Sequence, residues 1–220
     1  VISDSINLYT EMTTCDAYLH TNRKYYKVDE NEHHISIQLA GSDPKKFSQC
    51  AKIIKNNGYD EININVGCPS SKVVKGDFGA CLMEKPEILS SIVEEITEHT
   101  EIPLSIKTRL GLNYDENLDL LVNLITKTSA VGCKKFIIHA RNAILGGLSP
   151  KKNRSIPKIR YDDAERITKM FPDLEFVING EIGEVQSIEK YLNIFDGVMI
   201  GRKIYDDPVF IQSMQVHLDG

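Results

Sequence analysis

Short runs of apolar, β-branched residues alternate along this chain with longer amphipathic windows, and nowhere does one strand pattern follow directly on another. That order points to an α/β chain whose strands are parallel and joined by helical crossovers. The strand patterns fall at Asn7 to Glu11, Ile35 to Ala40, Ile62 to Val66, Leu104 to Arg109, Phe136 to Ala140, Phe176 to Asn179 and Gly197 to Gly201. Helical windows lie between most of them, at Asp43 to Asn57, Pro86 to Thr100, Asn117 to Val131, Tyr161 to Phe171 and Gly183 to Leu192.

Several windows carry their own start signals. Ser42-Asp43-Pro44 and Lys85-Pro86 put proline in a first turn, where its missing N–H costs nothing. Repeated βα units suggest a TIM (β/α)8 barrel, which needs eight strands. Seven are visible, so the simplest expectation places the first strand upstream of Val1 and makes Gly197 to Gly201 strand eight. A doubly wound open sheet is the competing fold, but no Gly-x-Gly-x-x-Gly loop follows any strand. With 220 residues and no linker or low-complexity segment, residues 1–220 read as one domain.

The stretch EININVGCPSSKVVKGDFGACLMEKP, Glu61 to Pro86, constrains function most. A buried strand ends at Gly67-Cys68-Pro69, so a thiol between glycine and proline is held rigidly and offered to solvent, which core packing does not require. A free thiol titrates at about 8.5, so it can donate a proton as well as act as a nucleophile or ligand when deprotonated. No second cysteine or histidine stands at ligand spacing from Cys68, which disfavours a metal. Spacing alone leaves acid and nucleophile open. Cys81, among Ala80, Leu82 and Met83, reads as packed.

In a barrel the strand ends share one mouth, and here they carry Gln38, Asn65 to Cys68, Lys107, His139, Asn179-Gly180 and Gly201-Arg202. Each alone has a bland reading: Lys107 could snorkel, His139 could be a satisfied core histidine, and Arg202 could pair with Asp206. Together they suggest a site. Two glycine-bearing turns, after strands seven and eight, stand where barrels commonly hold phosphate, and Arg202 adds a bidentate donor. Lys107 and His139 lie between thiol and phosphate turns, a spread that suits flavin mononucleotide, whose ring needs positive charge near N1 and O2.

The one long connection, RNAILGGLSPKKNRSIPKIR from Arg141 to Arg160, carries Arg141, Lys151, Lys152, Arg154, Lys158 and Arg160 and no acidic residue. It follows a strand and so belongs on the catalytic face. Net charge is −5, so any nucleic acid must be met by such a local patch. Five cysteines without regular spacing suit a reducing compartment, and no signal peptide or apolar run of roughly 18 residues appears; the expected setting is cytoplasmic, with no membrane partner. The chain opens without methionine and in mid-pattern, which suggests a piece of a longer protein.

The run ININVGCPSSKVVKGDFGACLMEKP resembles the signature segment of the flavin-dependent tRNA-dihydrouridine synthases, and its FGACLM form resembles the bacterial A-type branch. SIKTRLG before Leu112, FIIHARNAILGGLSPKKNRSIPKIRYD, FVINGEI and DGVMIGRKIYDDP agree in register over nearly the whole length. The resemblance implies an FMN-bearing TIM barrel that reduces the C5=C6 bond of particular uridines in the tRNA D-loop, with NADPH recharging the flavin. It implies Cys68 as the general acid at C5. Gln38, Lys107 and His139 would contact FMN; Asn179, Gly180, Glu181, Gly201 and Arg202 would hold its ribityl and phosphate end; Asn65, Lys151 and Arg154 would touch tRNA. The chain departs from the family in having Gly180-Glu181 where Gly-Gly is expected, and the family's first strand and C-terminal helical tRNA-binding domain are expected to fall outside these 220 residues. Two other readings stay open: an FMN barrel acting on a free pyrimidine or enone, and an inactive RNA-binding remnant.

Overall fold

The computed structural model describes residues 6–21, 27–28 and 34–219. Its strands are β1 (Leu8–Tyr9), β2 (Thr13–Thr14), β3 (Ile35–Ala40), β4 (Glu61–Val66), β5 (Leu104–Arg109), β6 (Lys135–His139), β7 (Glu175–Asn179) and β8 (Gly197–Met199). All pair in parallel, in the order β1-β3-β4-β5-β6-β7-β8, with β2 also on β3. The sheet curls as part of a TIM-like barrel. The alternation of strand and helix is therefore realised as expected, and each crossover places a helix on the convex side.

The strand expected at Asn7 to Glu11 is realised as two short pieces end to end. Tyr9 pairs with Ser36 and Thr13 with Leu39, so the edge strand carries one residue more than its partner over that interval. That is a bulge. Thr10 occupies it: its N–H donates to Ser36 O at 3.0 Å, and its hydroxyl accepts from Gln38 N at 3.0 Å in place of a backbone carbonyl.

The helices are α1 (Cys15–His20), α2 (Pro44–Ile54), α3 (Ser71–Lys75), α4 (Pro86–Thr97), α5 (Asp119–Ala130), α6 (Tyr161–Met170), α7 (Val185–Leu192), α8 (Arg202–Asp206) and α9 (Phe210–Asp219). At α2, Asp43 caps the Lys45 and Lys46 amides at 3.0 and 3.3 Å, with Pro44 in the first turn. α5 starts two residues later than its pattern suggests. Asp115 and Asn117 each accept from the amide two residues on, which holds 115–118 in turns rather than helix.

Alternate strand residues divide the two faces. Ile62, Ile64, Val66, Ile106, Phe136, Ile138, Phe176 and Ile178 point outward and form one core with the helices. The concave face is polar instead. Lys135 pairs with Glu61 at 3.0 Å and with Glu175 at 3.3 Å. From Glu61 a chain of hydrogen bonds climbs the interior: Ser105 Oγ to Glu61 at 2.6 Å, Asn63 to Ser105 at 2.7 Å, Gln38 to Asn63 at 2.7 Å and Asn65 to Gln38 at 2.8 Å. Each donor finds an acceptor, so the barrel floor is rigid without being apolar. Among the described residues no helix is long and apolar enough to cross a membrane.

Candidate active site

The chain of polar contacts ends at the backbone turn that carries Cys68. Asn65 Oδ1 accepts from the Gly67 and Cys68 amides at 3.2 and 3.0 Å, turning the backbone sharply at the end of β4. Arg109 Nε donates to Gly67 O at 3.2 Å, and Ala80 N donates to Cys68 O at 3.1 Å. Gly79, with φ +62, lies so close that a Cβ there would stand 2.3 Å from Val73 and 2.8 Å from Cys68 O. Only glycine lets the segment after α3 close on the turn. Cys68 is half-buried and lines the cavity at the barrel mouth, whereas Cys81, expected to be packed, is half-buried on a neighbouring 3-10 turn.

That cavity holds about 320 Å³ and gathers the strand ends. Of the candidates, Asn65, Cys68, Lys107, His139, Arg154, Asn179, Gly180, Gly201 and Arg202 line it together. Three do not. Gln38 is buried one step deeper beneath Asn65, Glu181 lies one residue along the turn against Arg141, and Lys151 is exposed on the loop outside. A cavity of about 350 Å³ against α6 and α7 is reached by none of these residues.

The bland readings fail one by one. Lys107 does not reach outward: its ammonium donates to Asn179 Oδ1 at 3.1 Å across the concave face, and Asn179 Nδ2 donates to Met199 O at 2.8 Å. His139 is only 8% exposed and its Nε2 has no hydrogen-bond partner, so it is a buried histidine that is not satisfied. Arg202 is exposed and, among the described residues, makes no ion pair.

No Asp or Glu stands among the lining residues, while Lys107, Arg109, Arg154 and Arg202 all do. The electrostatic consequences follow directly. Burial, with Arg109 close by, pushes the Lys107 ammonium down to about 7. Burial and neighbouring cations push Arg109 down to about 10, although Cys68 works the other way. His139 is driven well below the usual histidine range by burial and then by Arg109, Lys107, Arg141 and Arg202, so it is neutral. Uncompensated positive charge in a cavity of this kind is arranged for an anion.

The same residues fit flavin mononucleotide. The orphaned His139 Nε2 and the Lys107 ammonium face the cavity, a Cβ at Gly201 would meet nothing within 4 Å, and Gly180 adopts φ +127 with His139 only 3.1 Å from where its Cβ would be. The Gly201 turn thus leaves open space for a phosphate, whereas at Gly180 any side chain would crowd His139. Among the described residues no three His, Cys, Asp or Glu side chains converge as a metal would require.

The chain matches the family model of dihydrouridine synthase over residues 2–219. It belongs to the dihydrouridine synthase family. Curated relatives named tRNA-dihydrouridine(20/20a) synthase include those of Shewanella oneidensis, 41% identical over the whole chain, Pseudomonas aeruginosa, 42% over 97% of it, and Synechocystis, 43% over 94%. These agree with the A-type resemblance. The chain spans 62 to 66% of the length of those three relatives.

Four residues that hold the site and its loop escaped the sequence: Arg109, Arg141, Arg160 and Asn153. Arg109 follows Lys107 by two positions on the same strand face, a spacing that could have flagged it; its Nη1 donates to Asn142 O and Asn153 O at 3.3 and 3.1 Å, tying the Cys68 turn to the 141–160 loop. Arg141 and Arg160 were counted with that loop's exposed charge, but both are buried. Arg141 pairs with Glu181 at 2.7 Å and donates to Pro157 O; Arg160 donates to Glu116 O at 2.8 Å and Asn142 Oδ1 at 2.6 Å and pairs with Asp163 at 3.0 Å. Asn153, fully buried, holds the loop's middle by bonds to Ile144 N, Ile144 O and Leu148 O at 2.8, 3.1 and 3.4 Å. Lys151, Lys152, Arg154 and Lys158 are left facing outward.

Proposed function

We propose that this chain carries the catalytic site of a tRNA-dihydrouridine synthase, reducing the C5=C6 bond of a D-loop uridine in the cytoplasm with FMN and NADPH. One observation carries the reading: in a member of this family, a rigidly turned thiol and two anion-adapted turns share one carboxylate-free cavity. Lys107 and His139 would contact the flavin, with Gln38 supporting Asn65 from beneath, and Asn179, Gly180, Gly201 and Arg202 would hold its ribityl phosphate, while Glu181, off the cavity, would act only through its pair with Arg141. FMN, when bound, supplies hydride to C6 of the uracil and takes its electrons back from NADPH.

The chain's own residues do the rest. Hydride arriving at C6 leaves an enolate-like anion across C5 and O4 of the base, and Cys68 Sγ–H transfers its proton to C5, completing the addition of two hydrogens. Asn65 fixes the direction of that thiol by capping its turn. Lys107 and Arg109 hold positive charge in the cavity as negative charge develops. A stacked uridine is out of reach, so it must be splayed into the mouth, with Lys151 and Arg154 placed for the adjoining phosphates.

Substituting Cys68→Ala tests the assignment. Flavin reduction by NADPH should persist while dihydrouridine formation falls by about 10²-fold or more. Mass spectrometry of tRNA incubated with protein, FMN and NADPH reads the product as a gain of two hydrogens on uridine, and product formation at the wild-type rate would refute the acid role.

A further inference from the structure

A smaller cleft of about 160 Å³ shares no residue with the cavity at the barrel mouth and adjoins the one against α6 and α7 through Glu116, Lys158 and Arg160. It opens between the β5–α5 connection and the far side of the 141–160 loop, and Tyr114, Glu116, Ile156, Pro157 and Lys158 line it. Tyr114 is 83% exposed and Ile156 57% exposed, two large apolar side chains offered to water side by side on adjacent loops.

Neither loop is slack. Asn113 takes φ +53, a left-handed conformation asparagine tolerates; its N–H donates to Ala143 O at 2.8 Å, and its Oδ1 accepts from Leu145 N at 3.0 Å. Asn142 Nδ2 donates to Asn113 O at 3.1 Å, and Arg160 to Glu116 O at 2.8 Å, so both sides of Tyr114 are clamped. Across the cleft, Ile156 N donates to Lys152 O at 2.9 Å, and Pro157 O accepts from the buried Arg141. A backbone held on both sides of an exposed aromatic residue leaves only side-chain freedom to be lost on binding.

We propose that this cleft is a nucleobase-binding site, in which a base from an unstacked nucleotide of the tRNA lies against Tyr114 and Ile156. The proposal rests on the tRNA reading above and adds a contact outside the catalytic cavity. Charge selects the occupant: Lys158 stands at the cleft's edge, with Lys151, Lys152 and Arg154 exposed on the same loop, which suits a phosphate backbone running along that side. Asp115 and Glu116, exposed on the opposite loop, repel the backbone from theirs. Glu116 also offers an acceptor inside the cleft, so a base with an exocyclic amino group suits it better than uracil does.

Unmodified tRNA transcript and the FMN-loaded protein provide the test. Tyr114→Ala should weaken the dissociation constant about tenfold, within the roughly five- to hundredfold range of a lost base stack, and Tyr114→Phe should stay within about twofold of wild type. The loss should persist at raised salt, because stacking releases no counterions. The chain has no tryptophan, so Tyr114→Trp adds a single indole whose emission should fall when tRNA saturates the protein. Affinity within about twofold of wild type for Tyr114→Ala, or indole emission unmoved by saturating tRNA, would overturn the site. Binding is read apart from turnover: a wild type that binds tRNA yet forms no dihydrouridine sinks the catalytic reading while the stacking contact still stands or falls on affinity.

Discussion

Glu181 holds a left-handed φ of 51 in a turn where glycine would cost nothing, and it does so while its carboxylate sits 2.7 Å from the buried guanidinium of Arg141. The two effects oppose each other. Glu181→Gly would relieve strain worth about 1 kcal/mol, yet leave Arg141, whose Nε already has no partner, without its counter-charge. A hydrogen bond to a charged group contributes about 1.5 to 3 kcal/mol, and the low end applies because Glu181 is 43% exposed. The pair therefore wins narrowly: Glu181→Gly should lower stability by up to about 1 kcal/mol, read from the urea midpoint, and a gain in stability would show that strain dominates. Lys107 shows the same contest between burial and charge. Its ammonium is pushed from 10.5 down to about 7, so the folded protein binds fewer protons than the unfolded chain between those values, and ligand-free stability should rise with pH across that window. An anion favours the protonated form, so apo-protein should bind FMN more tightly as pH falls through about 7. Lys107→Met should remove that part of the dependence, and titrations of wild type and variant by flavin fluorescence should diverge most below pH 7; parallel curves would exclude Lys107 from the flavin site.

The 141–160 connection shows how far element-level reading reaches. Its place after a strand, on the face where the strand ends converge, was legible from the alternation of strands and helices, and so were the glycine turns and the Cys68 turn. The fate of its cations was not, because counting charge along a chain says nothing about partners brought in from elsewhere: Arg141 finds Glu181, forty residues away, and Arg160 finds Glu116 O and Asn142. The broken first strand was hidden for a similar reason, since a threonine hydroxyl stands in for a backbone acceptor at Thr10. α3 and the 3-10 turn at Gly79–Glu84 are too short to show a period, and they are held by the close approach that Gly79 permits. Within this connection Asn153 bonds the buried Ile144 N–H and C=O and the half-buried Leu148 C=O, and its own carbonyl receives Arg109. Asn153→Ala should cost about 3 kcal/mol through unsatisfied buried groups. The Ile144 amide should then exchange its hydrogen far faster than the amides of β6, a difference that NMR or mass spectrometry resolves; unchanged protection at Ile144 would mean the loop is held some other way.

Across the whole molecule, charge is segregated rather than abundant. The chain is net acidic at −5, yet the cavity at the barrel mouth has no carboxylate in its lining, and the exposed cations of the 141–160 loop stand beside it. Acidic residues gather elsewhere, as at Glu94, Glu95 and Glu98 near the start of α2. A polyanion approaching such a surface is drawn toward the end that carries cations without carboxylates, which orients it before any specific contact forms. The interior supports the same division: Glu61 and Glu175 are spent on Lys135 at the barrel floor, far along the strands from the turns that carry Cys68 and Arg202. If tRNA binds through Lys151, Lys152, Arg154 and Lys158, log affinity should fall against log salt with a slope of about −3 to −4, since each phosphate contact contributes about −0.7 to −0.9. Lys151→Ala should make that slope shallower by about one, whereas Lys169→Ala, on the helical flank and engaged with Glu165 at 2.6 Å, should leave it unchanged. Equal slopes for the two variants would mean that the RNA is met by the protein's average surface, and the local patch would lose its role.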